Sequence, residues 1–311
     1  MSYHKSRFHQ SAFTAYTAII GAAVIWGLTV PIMKLTLQNI PVFSLAFIRF
    51  TCAALILLPF VYKKLRIKTK DIFFIILIGL LGITFNILPF FYGLKLTSAL
   101  NAGILMSTTP LITFVAAHIF LKEKVRSKTV LGALIGFAGI LMVMFDNTAP
   151  SFSVSPQGDL LILASTFAFV AYEITSKKVL KKYSFLVINF YSFAVGALSF
   201  LPFTIKEMQT NSSWIIHLSR PTIFGILFGI FFSSLLGYSL WQWGLSRLEA
   251  SRAGVLMYLD PVVVTIASVV ILSETLTPLF LLGAASIFLG LIIAGQKIHP
   301  LHKILKQHEN L

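Results

Sequence analysis

The sequence contains few charged residues and very few acids. Of its 311 residues, 11% are charged and only ten are Asp or Glu, whereas 57% are hydrophobic. A soluble domain carries about 25% charged residues. The composition therefore excludes a water-soluble fold and indicates a chain surrounded by lipid. There is one cysteine, Cys52, which excludes a disulfide within the chain.

Signatures of enzymes and of cofactor sites are also missing. The sequence has no glycine-rich phosphate loop, no HExxH motif and no Cys/His set at metal-ligand spacing. We therefore expect no enzyme, no metal site and no other cofactor. The net charge of +15 would suit nucleic acid, but the basic residues lie between apolar runs, where they meet anionic lipid. We expect membrane lipids, and not nucleic acid, as partners.

Ten apolar runs are each close to the ~20 residues that a spanning helix needs. They predict an all-α, polytopic membrane protein. The predicted spans are 14–36, 41–62, 72–94, 98–121, 128–146, 157–179, 184–205, 221–245, 250–272 and 277–296. The polar connection 206–220 is predicted to be a surface loop. Glu123 and Glu274, which follow the ends of spans four and nine, are predicted to cap or anchor helices at the membrane surface.

Lys and Arg are distributed unevenly between the connections. With the amino terminus inside, 20 of the 25 basic residues lie in inner segments, four lie in outer segments, and Arg49 lies within span two. The positive-inside rule then predicts a protein of the cell membrane with both termini in the cytoplasm. Residues 297–311 are predicted to form a basic cytoplasmic tail.

Residues 93–139 repeat as residues 244–290. At a constant offset of 151, sixteen of the 47 positions are identical without a gap, and an offset of 143 aligns earlier positions such as Lys34 with Lys177. The sequence therefore predicts two five-span repeats, 14–146 and 157–296. Because five is odd, equivalent spans cross the membrane in opposite directions. Inverted repeats of this kind are typical of secondary transporters.

Short motifs occur in the same order in both halves. They are Trp26-Gly27, Lys34, Phe47-Ile48-Arg49-Phe50, Leu96-Thr97-Ser98-Ala99, Pro110, Glu123-Lys124, Leu248-Glu249-Ala250-Ser251-Arg252-Ala253, Pro261 and Leu272-Ser273-Glu274. The ordered set resembles the ten-span drug/metabolite transporters of the EamA type, over roughly residues 14–296. The resemblance implies a secondary carrier of small metabolites, often amino acids and their derivatives. It does not name the cargo.

Three ionisable residues lie inside predicted spans, where a charge costs about 2.5–3.5 kcal/mol at the bilayer centre. Arg49 either binds an anionic group of the substrate or pairs with carbonyls or an acid. Asp260 binds a substrate amine, couples transport to protons, or forms a buried ion pair, for which Arg49 is a candidate partner. Pro261 is expected to break the helix next to it. Glu173 contributes to function, pairs with Lys177 four residues later, or extends to water.

Polar and aromatic side chains within the spans suggest a cavity for a small amphipathic solute. The candidates of this kind are Trp26, Asn86, Tyr92, Asn101, Thr109, Tyr238, Trp241, Gln242 and Tyr258. The alternative is that they form interfacial aromatic belts or hydrogen-bond neighbouring helices.

The sequence as a whole predicts a secondary transporter that works by alternating access. Export of an amino acid or a derivative is the leading hypothesis, with a small-molecule substrate and, as a possible coupling ion, the proton. Import or exchange of another solute is the first alternative. A channel would need a continuous polar pore, and a membrane-embedded enzyme would need a clustered catalytic set. The oligomeric state stays open.

Overall fold

The computed structural model describes residues 2–122, 127–144, 155–210 and 212–295. These residues form helices and short connections, with no β-strand among them. The helices are α1 (Ser2–Thr36), α2 (Val42–Val61), α3 (Thr69–Leu96), α4 (Ala99–Leu121), α5 (Ser127–Met144), α6 (Pro156–Val179), α7 (Phe185–Thr210), α8 (Arg220–Leu245), α9 (Ala250–Leu272) and α10 (Pro278–Gly295). The predicted tail 297–311 and Glu123 lie outside the described residues.

Eight helices in the described part of the chain, α1–α4 and α6–α9, are long and apolar enough to cross a membrane. Helices α5 and α10 have 18 residues each and coincide with predicted spans five and ten. The prediction of an all-α, polytopic membrane protein is therefore confirmed.

The connection between α7 and α8 is more ordered than the sequence predicted. Helix α7 continues to Thr210, and a 3₁₀ helix follows at Ser213–His217, so much of 206–220 is helical. Within this connection, the Glu207 carboxylate accepts the backbone N–H groups of Phe43 and Ser44 at 3.2 and 2.8 Å. These donors have no partner within α2, so Glu207 caps that helix and holds the end of α7 against it.

Helices α4 and α9 are each interrupted near the middle. The break lies between Met106 and Thr109 in α4, and between Leu256 and Leu259 in α9. A proline follows each break and cannot donate to a continuous backbone ladder. The predicted break at Pro261 is confirmed, and the equivalent helix of the first repeat has one as well.

Helices α3 and α8 each contain a π-helical segment, which the sequence did not predict. The segments are Leu80–Thr84 and Gly229–Gly237. The offset of 151 places the first segment inside the second, so the two repeats share this irregularity. A π-helical turn pairs residue i with i+5 and is frequent at functional sites.

Helices α5 and α10 cross at glycines. A Cβ atom on Gly139 would lie 2.5 Å from the carbonyl oxygen of Gly283, and one on Gly290 would lie 2.3 Å from that of Gly132. Gly139 and Gly290 are equivalent by the offset of 151, and so are Gly132 and Gly283, so the two contacts are equivalent. Equivalent residues therefore meet across an approximate two-fold axis, as expected for related repeats.

Candidate functional site

A cavity of about 80 Å³ lies within the bundle, between the two repeats. Helices α1–α4 of the first repeat and α6, α8 and α9 of the second contribute to its wall. Its lining residues are Trp26, Thr29, Val30, Arg49, Asn86, Ile87, Phe90, Met106, Thr109, Ser165, Thr166, Phe169, Ser233, Tyr238, Met257 and Asp260. Most of these residues lie in the interior of their helices, so the cavity lies near the middle of the spanning helices.

Arg49 provides the positive charge of the cavity and is only 2% exposed. Its Nε donates to the Gly229 carbonyl at 3.0 Å and to Ser234 Oγ at 2.7 Å, and its Nη2 donates to Ser233 Oγ at 2.6 Å. All three acceptors belong to the π-helical segment of α8. No described residue accepts a hydrogen bond from Nη1. The guanidinium is thus held on one side and has a donor left for an anion.

Asp260 provides the negative charge and is 3% exposed. Within the described residues its Oδ1 has no hydrogen-bond partner, and no ion pair joins it to Arg49. It lies at the start of the second part of α9, Leu259–Leu272, where the helix dipole favours a negative charge. A buried polar atom without a partner costs free energy, so this carboxyl group is available for a cation or a proton.

Aromatic rings form one side of the cavity. Trp26 and Tyr238 pack edge to face with centroids 5.3 Å apart, and Phe169 lies 5.5 Å from Trp26. Trp26 Nε1 donates to the Ser233 carbonyl at 3.1 Å, and the Tyr238 hydroxyl donates to the Gly82 carbonyl at 3.1 Å. Both acceptors lie in π-helical segments. These segments therefore position the aromatic side chains as well as Arg49.

The two helix breaks meet at the cavity. Met106 and Met257 are equivalent by the offset of 151, and so are Thr109 and Asp260; all four line the cavity. The Thr109 hydroxyl donates a hydrogen bond to the Met106 carbonyl at 2.6 Å. The scaffold is therefore shared by the two repeats, whereas the acidic group is present once.

The model of the EamA-like transporter family matches residues 13–145 and 156–296. The chain belongs to the EamA-like transporter family. Each of the two matched segments contains one five-helix set. As a member of this family, it is a multi-pass membrane transporter of the drug/metabolite superfamily.

Relatives of this EamA-like transporter are similar over most of their length. The uncharacterized transporter YyaM of Bacillus subtilis is 30% identical, with 90% of this chain and 93% of the relative covered. An uncharacterized transporter of Archaeoglobus fulgidus is 31% identical, with 89% and 84% covered. A solved crystal structure covers 96% of this chain and 99% of its own, with a TM-score of 0.68 and 22% identity. That similarity shows the fold.

Half of the candidate residues predicted for this EamA-like transporter line one cavity. They are Trp26, Arg49, Asn86, Thr109, Tyr238 and Asp260. Asn86 donates through Nδ2 to the Ser165 carbonyl at 3.0 Å, which ties α3 to α6. The other six, Tyr92, Asn101, Glu173, Trp241, Gln242 and Tyr258, are not among its lining residues.

Glu173 and Gln242 lie in polar contacts between helices. Glu173 is fully buried and accepts a hydrogen bond from Thr113 Oγ1 at 2.8 Å, so it does not extend to water. Gln242 donates through Nε2 to the Tyr172 hydroxyl at 2.5 Å and to Ser176 at 3.2 Å. Both residues join helices of the bundle rather than face the cavity.

The other four candidates outside the cavity occupy four different positions. Tyr92 is 39% exposed, and the backbone N–H of Asn101 donates to Ser98 in the first turn of α4. Trp241 is fully buried behind Trp26, with centroids 5.8 Å apart. Tyr258 lies at the break of α9.

Several lining residues were not predicted from the sequence. Thr29, Ser165 and Thr166 bring hydroxyl groups to the cavity, but each donates to a carbonyl of its own helix. This is the ordinary behaviour of Ser and Thr in an apolar helix, so no local signal marks them. The described residues contain no group of three or more His, Cys, Asp or Glu that could hold a metal ion.

Proposed function

We propose that this transporter is a secondary carrier that exports an amino acid, or a derivative of one, across the cell membrane. The observation that supports this is that Arg49 and Asp260 line the same cavity and do not form an ion pair with each other. An amino acid carries a carboxylate for the open donor of Arg49 and an amine for the open acceptor of Asp260. The aromatic wall of Trp26, Phe169 and Tyr238 suits an apolar side chain.

The position of the cavity between the two repeats supports alternating access. In this mechanism the cavity opens to one face at a time, while the charged groups stay near the midplane. In the proposed orientation both termini lie in the cytoplasm and helix α1 runs outward. For export, the cavity binds the solute when it is open to the cytoplasm and releases it when it is open to the outside. The surrounding helices present apolar side chains to membrane lipid.

Asp260 also supports proton coupling. Its carboxyl group holds either a proton or the amine of the solute, because protonation removes the negative charge that attracts the amine. Inward movement of protons would then drive outward movement of solute. No ATP-binding motif occurs in the sequence, so a gradient supplies the free energy.

Counterflow in proteoliposomes tests the proposal. Vesicles loaded with one unlabelled amino acid at a time are diluted into the same labelled amino acid, and accumulation of label above protein-free vesicles identifies the cargo. We expect accumulation for a subset with apolar side chains. Solute-independent conductance, or no accumulation with any amino acid or derivative, would contradict the proposed function.

A further inference from the structure

Two helix corners on opposite faces of the membrane have the same backbone packing. The α3–α4 corner (93–100) and the α8–α9 corner (244–251) are equivalent by the offset of 151. A Cβ on Gly93 would lie 2.8 Å from the Gly158 carbonyl of α6, and a Cβ on Gly244 would lie 3.1 Å from the Ala15 carbonyl of α1. Ala15 and Gly158 are equivalent by the offset of 143. Each corner is therefore packed against the opposite repeat.

A lysine anchors each corner within its own repeat. Lys34 Nζ donates to the carbonyl of Leu94 at 2.8 Å and to that of Thr97. Its equivalent, Lys177, donates to the carbonyl of Leu245 at 2.5 Å and to that of Leu248. The two lysines are equivalent by the offset of 143, and their acceptor carbonyls are equivalent by the offset of 151. Up to this point the two faces are built alike.

The side chains that cross between the repeats differ. At the α3–α4 corner, Thr97 Oγ1 donates to Asp159 Oδ1 of α6 at 2.6 Å, and both residues are fully buried. The positions equivalent to Thr97 and Asp159 at the other corner are Leu248 and Tyr16, and a leucine side chain has no hydrogen-bonding group. A hydrogen bond to a carboxylate therefore joins the repeats at one corner and has no equivalent at the other.

Glu274 adds a second contact between the repeats at the α3–α4 corner. Its carboxylate accepts the backbone N–H groups of Ala99 and Leu100 at 2.9 and 2.8 Å. These are first-turn donors of α4, which a helix cannot satisfy internally. The first part of α4 is thus held to the second repeat close to Thr97.

The bond between Thr97 and Asp159 is strong but incomplete. Asp159 Oδ2 is buried and has no hydrogen-bond partner among the described residues. Such an atom regains its hydrogen bonds only when water reaches it. Separation of the corner would therefore lose one hydrogen bond and solvate one orphaned oxygen. Because the lost hydrogen bond is partly offset by the solvation of Asp159 Oδ2, the corner can open and close at a small cost in free energy.

We propose that Thr97 and Asp159 form a latch that closes the cavity on the face of the α3–α4 corner, and that the opposite face closes by apolar packing without an equivalent latch. The inference rests on the proposed alternating access. It assigns this carrier an uneven pair of gates: within the described residues, Thr97 and Asp159 join the repeats at one gate, whereas Leu248 and Tyr16 occupy the equivalent positions at the other.

One cysteine in the cavity can report the latch. Ser165→Cys is introduced after Cys52→Ser has removed the native thiol, and a membrane-impermeant maleimide is applied to the face of the α3–α4 corner. We expect Thr97→Val to increase the modification rate about tenfold or more, the size of one hydrogen bond to a charged group. Asp159→Asn keeps an acceptor oxygen but loses its charge, so its modification should be slower than that of Thr97→Val. Leu248→Val, the matched change at the other corner, should also stay slow.

Gly158→Ala provides a second variant if Thr97→Val folds poorly. Its added Cβ would lie 2.9 Å from Leu96 Cβ and 3.0 Å from the Thr97 nitrogen, so it wedges the same corner apart. Fast modification in a folded variant of either kind supports the latch. Parental rates in both variants, or modification of Asp159→Asn as fast as that of Thr97→Val, would overturn it. Since labelling needs no solute, a wrong cargo in the counterflow assay would not affect this result.

Discussion

Asp260→Asn separates the function of the cavity from the stability of the fold. The substitution keeps the size of the side chain and removes its charge. In the structure Asp260 is buried, and its Oδ1 has no partner among the described residues, so few stabilising contacts are lost. We therefore expect near-normal insertion and a melting temperature within about 2–4 °C of the parent, the shift that ~1 kcal/mol gives in a protein of comparable size.

Transport should respond much more strongly. Loss of the contact between a carboxylate and the amine of the solute removes a hydrogen bond to a charged group, worth about 1.5–3 kcal/mol. At about 1.4 kcal/mol for each factor of ten, this lowers uptake efficiency roughly 10- to 150-fold. Since an amide cannot take up a proton at Asp260, net export driven by a pH gradient should disappear.

Counterflow and thermal unfolding are measured on the same preparations. Glu173→Gln is the matched control, because Glu173 is also a buried acid within a long helix and does not line the cavity. It should lose part of its bond to Thr113 and keep proton-driven export. Parental transport in Asp260→Asn, or equal losses in both variants, would refute the assignment of Asp260.

Two further predictions concern the scaffold. Arg49→Lys keeps the charge but cannot reproduce the hydrogen bonds to Gly229 and Ser234. We therefore expect the free energy of unfolding to fall by about 2–3 kcal/mol and counterflow to be defective. Unchanged melting and transport would show that the charge alone suffices. Gly290→Ala would place a Cβ 2.3 Å from a backbone oxygen and should lower stability by about 1–3 kcal/mol in thermal unfolding. Gly21→Ala, which meets only the tip of Leu240 at 3.2 Å, is its control and should be near neutral.

The spans could be predicted because lipid imposes one rule on every helix. Each needs about 20 apolar residues and must satisfy its own backbone. The break before Pro261 was predictable for a similar reason, since proline lacks the required N–H. These are local properties, and the described helices follow the predicted spans in order.

The site was only half predictable because its partners come from distant parts of the chain. The acceptors of Arg49 lie 180 to 185 residues away, in a π-helical segment that no local pattern marks. Because Arg49 donates its hydrogen bonds to Gly229, Ser233 and Ser234, it does not form the ion pair with Asp260 that the sequence allowed. Glu207 was overlooked for the same reason, since its partners in α2 are 163 and 164 residues away.

The α5–α10 crossing has the form of an isologous interface, in which two copies of one surface patch meet across a two-fold axis. Such interfaces ordinarily join separate identical subunits, and here the two patches belong to one chain. The geometry is that of an antiparallel dimer of five-helix units whose chains have become continuous. A change at Gly139 or Gly290 therefore alters one half of a self-complementary surface, and a compensating change is to be sought at the equivalent position of the other repeat.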